Sequence, residues 1–247
     1  DLVRVIGKSL NGIYALKTDG YIDYQDEVPV FYNQIGIKAP LASEMGSSTF
    51  YKPGDYKFID VDGNRKINAF DAVYCGSALP IVSGGIVNEF QWKNFDVNIL
   101  LSFQLGRHML NITQTRCLSG LGAAEYPAIV MNLNKVSFWE KEGDNSTYPK
   151  AELNNFNDSW SPVIDRYVEK VNYLKLKTLT IGYTLPKNLL KKIYIKDIRV
   201  FFSGENLLNI TNYSGLDPET VDINTGLDDG KNYPLARKLT LGITIKL

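Results

Sequence analysis

Residues 94–106, "NFDVNILLSFQLG", alternate in character almost without interruption. Phe95, Val97, Ile99, Leu101, Phe103 and Leu105 are apolar, Asp96, Asn98, Ser102, Gln104 and Gly106 are polar or small, and only Leu100 breaks the rule. Side chains along an extended strand point alternately to its two faces, so the pattern predicts a β-strand between an apolar and a wet medium. Upstream, "VSGGIVNEFQW" predicts a hairpin partner: strands over about 81–92 and 95–106 joined by Lys93 and Asn94, where Asn tolerates the positive φ of a tight turn. That loop length fixes the register. Trp92 should face Phe95, Phe90 Val97, Asn88 Ile99, Ile86 Leu101, Gly84 Phe103 and Val82 Leu105, leaving one face apolar apart from Asn88. The other face pairs Gln91 with Asp96, Glu89 with Asn98, Gly85 with Ser102 and Ser83 with Gln104. Phe103 is placed to cover the strand glycine Gly84.

Three further segments repeat the signal. "LTLGITIKL" sets Leu239, Leu241, Ile243, Ile245 and Leu247 against Thr240, Gly242, Thr244 and Lys246. "TLTIGYTL" sets Leu179, Ile181, Tyr183 and Leu185 against Thr178, Thr180, Gly182 and Thr184, whereas Leu174 and Leu176 lie in the other phase, which predicts a bulge or a change of environment near Lys177. "DIRVFFSG", residues 197–204, is a fourth strand. Residues 186–196 read as a compact connection, and 107–172 and 206–238 as long segments rich in Asn, Asp, Gly and Tyr. Short connections alternating with long ones, between strands of roughly nine to twelve residues, fit an outer-membrane barrel with short periplasmic turns and long outer loops. The expected organisation is one barrel domain: 1–80 supply strands and an outer loop with an acidic turn, and 81–247 supply barrel strands. Residues 126–143, "YPAIVMNLNKVSFWEKEG", are expected to form a short helix on the outer surface.

Composition narrows the partners. Lys plus Arg and Asp plus Glu both number 27, and a balanced charge argues against nucleic acid, whose surface demands a cationic excess. The single histidine, His108, argues against histidine-rich metal chemistry. Cys75 and Cys117 allow one disulfide, but two free thiols are the expected state. No run of about 18 apolar residues occurs, so no membrane-spanning helix is expected, and a bilayer-spanning form has to be a β-barrel. The opening "DLVRVIGKSL" lacks a basic start followed by an apolar run, so no export signal is expected there and the sequence is expected to be a mature piece or fragment.

Alternation by itself fits a soluble sandwich as well as a barrel. Three features favour lipid. Phe90, Trp92 and Phe95 gather beside the short turn, where an interfacial girdle belongs; the opposite faces carry Thr, Ser, Gly, Asn and Gln, suited to a wet interior; and the last strand keeps its alternation to the final residue. The expected fold is all-β.

The phrases "YVEKVNYLKLKTLTIGYTLP", "IRVFFSGENLLNITNYSGLDPE" and "YPLARKLTLGITIKL" resemble the end of the SusC/RagA family of TonB-linked outer-membrane transporters. "GDYKFIDVDGNRKINAFD" followed by "NEFQWKNFDVNILLSFQLG" resembles the same family's acidic loop and the strand pair after it. These matches run in the family's order from about residue 54 to 247. The resemblance implies the C-terminal strands of an antiparallel barrel of about 22 strands, in the outer membrane of Bacteroidota-type bacteria. It also implies import of oligosaccharides or peptides, with a SusD-like surface lipoprotein as lid, the TonB complex as energy source, and a plug and further strands beyond this sequence. Leu247 departs from the aromatic final residue usual in such barrels.

"DVDGNRKINAFD" spaces Asp60, Asp62, Asn64, the Lys66 carbonyl, Asn68 and Asp71 at positions 1, 3, 5, 7, 9 and 12 of an EF-hand-like loop, where oxygen ligands converge on Ca²⁺. Position 6, normally glycine, is Arg65, which strains the turn and brings a cation, and Asp71 is shorter than the usual glutamate. The plain alternative is a hydrated acidic turn whose side chains satisfy their own backbone. No other cofactor is indicated. No nucleophile elbow, zinc-helix motif or phosphate loop is present, His108 reads as an ordinary loop residue, and no enzymatic activity is expected. Asp228 and Asp229 read as solvated charges. Trp139, Tyr148, Trp160 and Tyr213, in the long segments, are expected to be loop anchors before ligand-stacking surfaces. The favoured function is the barrel portion of a TonB-dependent importer; the alternative is a soluble β-sandwich carbohydrate-binding module with a Ca²⁺ loop. The substrate is not encoded in these motifs.

Overall fold

The structure, a computed structural model, describes residues 5–32, 35–36, 38–40, 42–43, 50–119, 136–150, 163–190 and 195–246. Its strands in chain order are β1 (Gly12–Leu16), β2 (Thr18–Tyr21), β3 (Val30–Tyr32), β4 (Lys38–Pro40), β5 (Ala42–Ser43), β6 (Tyr56–Phe58), β7 (Lys66–Ile67), β8 (Ala72–Ser77), β9 (Val82–Trp92) and β10 (Phe95–Asn111). They continue with β11 (Val168–Thr184), β12 (Asp197–Thr211), β13 (Leu227–Asp228) and β14 (Lys238–Lys246). Two short helices, α1 (Ile112–Ser119) and α2 (Lys187–Leu190), follow β10 and β11. The chain divides into two compact units: 1–78 with 108–169 and 222–231, and 79–107 with 170–221 and 232–247.

The second unit is a sheet in the order β9–β10–β11–β12–β14. Its first hairpin has the register that a two-residue turn dictates, from Trp92 opposite Phe95 to Val82 opposite Leu105. The left-handed turn residue is Lys93, at φ 52°, instead of Asn94. Asn94 is occupied otherwise: its side-chain amide donates to the Thr184 carbonyl at 2.7 Å and its own carbonyl accepts from Thr184 N at 2.8 Å, stitching the turn to the end of β11. Further along, Val200 pairs with Ile243 and Tyr183, Phe202 with Leu241 and Ile181, so the apolar rows of three strands share one face. The ladder between β11 and β12 slips between Leu176 and Thr178, at the phase change read from Leu174 and Leu176. Asn206, on the opposing strand, has φ 52° there, a left-handed conformation that Asn tolerates better than most residues.

The strands outrun the alternation. β10 continues from Gly106 to Asn111, where Arg107, Met109, Leu110 and Asn111 are all buried and polar and apolar residues no longer alternate, and β11 begins at Val168, with Val171, Tyr173 and Lys175 buried between exposed Lys170, Asn172 and Leu174. The apolar rows lie open. Phe90, Trp92, Leu239, Leu241 and Ile243 are each more than 60% exposed, so the arrangement of apolar rows packed between two stacked sheets is not found among the described residues. Gly84 sits under the Phe103 ring, as the pairing predicts. Phe95 and Tyr183 stack at 4.7 Å beside the short turn, and the Lys93 ammonium lies 4.9 Å from the Trp92 ring centre.

The first unit has its own core, in which Ile13, Leu16, Ile22, Tyr56, Phe58, Ile67, Leu110, Ile164 and Tyr167 are buried together. Four two-stranded ladders belong to this unit: β1 with β8, β2 with β6, β3 with β4, and β5 with β7. Leu110 and Asn111 add a short parallel pairing with β13. The helix expected over 126–143 is not found in its described part. Residues 136–148 fold back instead, with Trp139 N bonded to Tyr148 O at 3.0 Å, Thr147 N to Ser137 O at 3.1 Å and Gly143 at φ 83°. Asp144 Oδ2 accepts the amides of Glu140 and Lys141, which a helix would have needed. The remainder of that expectation, 126–135, lies outside the described residues. Among the described residues no helix is long and apolar enough to cross a membrane.

Candidate functional site

The second unit's polar face is built from side chains that alternate with the apolar rows. Asp96 on β10 and Arg199 on β12 meet across β11, with Arg199 Nε 2.9 Å from Asp96 Oδ1. The strand between them carries Gly182, where a Cβ would press into both partners. Beside them Arg199 lies 5.2 Å from the Phe201 ring centre, and that ring rests on Gly242 of β14. Thr180 Oγ1 and Ser203 Oγ bond at 2.8 Å in the next row. Hydroxyls, a partly exposed ion pair and an aromatic ring over glycine make a wettable face, as alternation requires of the side opposite the apolar rows.

Towards the other end of the sheet this face carries a buried ionic cluster. Lys175, only 3% exposed at its side chain, places its ammonium 2.7 and 2.8 Å from the two oxygens of Asp217 and 2.8 Å from Glu219 Oε2. Lys177 binds the other oxygen of Glu219. Arg107, buried on β10, donates to the carbonyls of Pro218 at 3.3 Å and Val221 at 3.1 Å. Burial would push the Glu219 carboxyl up, but hydrogen bonds from Lys175 and Lys177 outweigh it and hold the group below the usual carboxylate range. Sequence reading did not find this cluster. The signal was present only as two lysines in an alternating strand and an acidic turn, "DPET", 42 positions away.

The acidic turn lies in the first unit. Asp60, Asp62 and Asp71 bring carboxylate oxygens within 4.8 Å of one another. Asp71 is fully buried and accepts Val61 N at 2.8 Å through Oδ1 and Asn68 N at 2.8 Å through Oδ2. Asp60 accepts Gly63 N and Arg65 N, Asn64 Oδ1 accepts Lys66 N, and Asn68 Oδ1 accepts Phe70 N. Arg65 takes the left-handed conformation that position 6 demands, at φ 70°. Its guanidinium is drawn aside, 5.3 Å from the Phe31 ring centre and 3.4 Å from the Tyr32 carbonyl. The residues fit a hard cation in donor type and convergence, although Asp71 Oδ1 already accepts two backbone amides, from Val61 and Asp62.

The long-segment aromatics act as anchors where they are described. Trp139 is 7% exposed, donates Nε1 to Asp23 Oδ1 at 2.7 Å and covers Gly54. Tyr148 packs on Phe138 and under Arg166. Tyr213 is buried over Gly215. Trp160 lies outside the described residues. His108 falls within β10, where its ring fills the space beside Gly76, a glycine at φ 147°. Cys75 is a free thiol, raised by burial and by the nearby Asp165; the Cys117 side chain lies outside the described residues. Asp228 accepts Thr113 Oγ1 at 3.0 Å and Asp229 pairs with Lys231 at 3.1 Å.

No protein-family model matches the chain. Over 203 residues it is 33% identical to TonB-dependent receptor P3 of Formosa agariphila, a match covering 78% of this chain and 19% of the relative. It is 25% identical over 197 residues to TonB-dependent receptor SusC of Bacteroides thetaiotaomicron, covering 79% of this chain and 18% of that one. The chain thus spans about a fifth of the length of these curated relatives. Among solved structures, the RagAB peptide transporter superposes with a TM-score of 0.61 over 95% of this chain and 22% of that one, at 20% identity. The RagAB peptide importer in its open-open state superposes with a TM-score of 0.59. At such identities the likeness is one of fold.

Proposed function

The chain belongs to the TonB-dependent receptor family, and from that membership we propose that it supplies wall strands and outer loops to an importer of oligosaccharides or peptides. Its sheet is part of a large antiparallel β-barrel of the outer-membrane type. The single observation that carries the reading is the division of the sheet: Leu239, Leu241, Ile243 and Ile245 stand uncovered on one side, while Thr180, Ser203, Thr240 and the Asp96–Arg199 pair occupy the other. A wall of that kind separates acyl chains from a wet interior. Its work is mechanical and electrostatic, and no group described here is arranged for bond making or breaking. A SusD-like lipoprotein would cover the outer mouth, the TonB complex would supply energy through plug and segments beyond this sequence, and the host would be a Bacteroidota-type bacterium.

The test uses cells from which the whole protein is deleted, and measures accumulation of fluorescent oligosaccharide and peptide pools with and without a protonophore. Loss of energy-dependent uptake of one pool, restored by the gene, is the expected result and names the substrate class. Unchanged uptake of both pools, with no lipoprotein co-purifying, would remove the importer reading.

The acidic turn is read as a Ca²⁺ site held by Asp60, Asp62, Asn64, the Lys66 carbonyl, Asn68 and Asp71. Three carboxylates this close repel one another unless a cation joins them. Bound Ca²⁺ would neutralise that repulsion and stiffen the segment between β6 and β8. Chelator treatment should lower the melting temperature of the protein, and an unchanged melting curve would count against the ion.

A further inference from the structure

Residues 217–221 form a strap across the polar face of the sheet, and every part of it is tied down. Lys175 holds both carboxylate oxygens of Asp217 and one of Glu219, Lys177 holds the other, and Arg107 holds the carbonyls on either side. The strap is stiff internally as well: Glu219 N donates to Asp217 Oδ1 at 3.0 Å, Thr220 Oγ1 donates to Asp217 O at 3.0 Å, and Pro218 fixes one φ. It passes the constraint on. Asn232 Nδ2 donates to the Thr220 carbonyl at 2.8 Å and Leu235 N points to Asp217 Oδ2 at 3.4 Å, so the returning limb of the β12–β14 connection is fastened to the strap.

We infer that Lys175, Lys177 and Arg107 are positioning residues that make this connection a fixed part of the barrel's inner wall instead of a moving lid. The physical reason is the cost of opening. Lifting the strap would break the ion pairs of Lys175 and Lys177 with Asp217 and Glu219 together with two carbonyl bonds from Arg107, and parting charges that are paired out of water is among the most expensive changes a protein can undergo. The register slip belongs to the same device. Where β11 and β12 lose step between Leu176 and Thr178, with Asn206 left-handed, Lys175 and Lys177 both reach Glu219. The meaning of a fixed wall for transport rests on the importer reading; the rigidity itself does not.

Hydrogen exchange on the full-length protein in nanodiscs tests the inference. In the wild type, amides of Asp217, Glu219, Thr220, Val221 and Leu235 should exchange slowly, and equally slowly when a dextrin oligosaccharide pool or a tryptic peptide pool is added. Replacing both Lys175 and Lys177 by Met should speed exchange there by at least about tenfold, while amides of the β9–β10 hairpin stay protected. Lys177→Met alone, at a half-buried position, gives a smaller rise and guards against misfolding of the double variant. Glu219→Asp should restore part of the protection that Glu219→Ala removes. Fast exchange in the wild type, or a clear change on adding either pool, would overturn the fixed wall. Because the measurement needs no uptake, failure of the importer reading would leave it standing, and its own failure would leave the importer intact.

Discussion

Arg199 reaches Asp96 over the top of a glycine. Its Nε and a terminal nitrogen lie 2.9 and 2.5 Å from the two carboxylate oxygens, in the fork geometry that Arg and a carboxylate favour. Gly182, on the intervening strand, leaves the room they occupy. Both partners are about one-third exposed, so their direct worth is modest, and the steric condition at Gly182 matters more than the charge.

Gly182→Val should therefore destabilise the barrel by about 1–3 kcal/mol through overpacking. Part of that loss should vanish in an Arg199→Ala background, where one of the two crowding side chains is gone and Asp96 is free to turn aside. Thermal unfolding of the two single variants and the double variant measures the coupling. Strictly additive losses would show that the glycine serves another purpose.

A second contrast distinguishes the two faces. Ile243 pairs with Val200 on the open apolar side, and Ile243→Arg is expected to cost about 2–4 kcal/mol if that side chain meets mid-bilayer. Thr240→Arg, on the polar side opposite Ser203, should cost far less. Thr244 would be a poor control, because its strand neighbour is Arg199 and a second guanidinium there would add repulsion. Folding titrations into vesicles give both numbers, and equal costs would contradict the assignment of faces.

The strap should respond to acid in a defined sense. The folded-state pKa of Glu219 is depressed, so its contribution is fully present above the ordinary carboxylate range and is lost as pH falls through its lower folded value. Asp217, Lys175, Lys177, Arg107 and the Tyr173 phenol face it. Strap protection should hold at neutral and mildly acidic pH and fail only below the ordinary carboxylate range. Loss already near neutrality would indicate that the lysines are not its partners.

The acidic turn separates a structural carboxylate from a ligand. Asp71→Asn should destabilise the protein by about 1–3 kcal/mol even without metal, because an amide nitrogen would confront a backbone N–H that the buried carboxylate now satisfies. Asp62 is exposed, so Asp62→Ala should leave metal-free stability nearly unchanged and weaken Ca²⁺ binding. Calorimetric titration with Ca²⁺ decides, and an Asp62→Ala protein that binds as tightly as wild type would place the ion elsewhere.

Much of the sheet was legible because its information is local. Which residues of 82–105 share a face follows from neighbours two positions apart, and the register from the length of one turn, so Trp92 and Phe95 could be paired on paper. The phase change at Lys177 was also visible. What hid was identity at a distance: that Lys93 and not Asn94 turns left-handed, that Arg65 is drawn off its acidic loop by Phe31, and that residues 136–148 fold back because Asp144 captures the amides of Glu140 and Lys141.

By itself, then, the sequence determined the two-sidedness of the strands, since a period of two survives any arrangement of the remaining chain. Only the tertiary structure decided that Asp96 meets Arg199 across 103 positions and that Lys175 meets Asp217 across 42. Nothing local marks such partners. They find each other only when the fold places them side by side, and for Lys175 and Asp217 the desolvation of their charges then makes the pairing costly to undo.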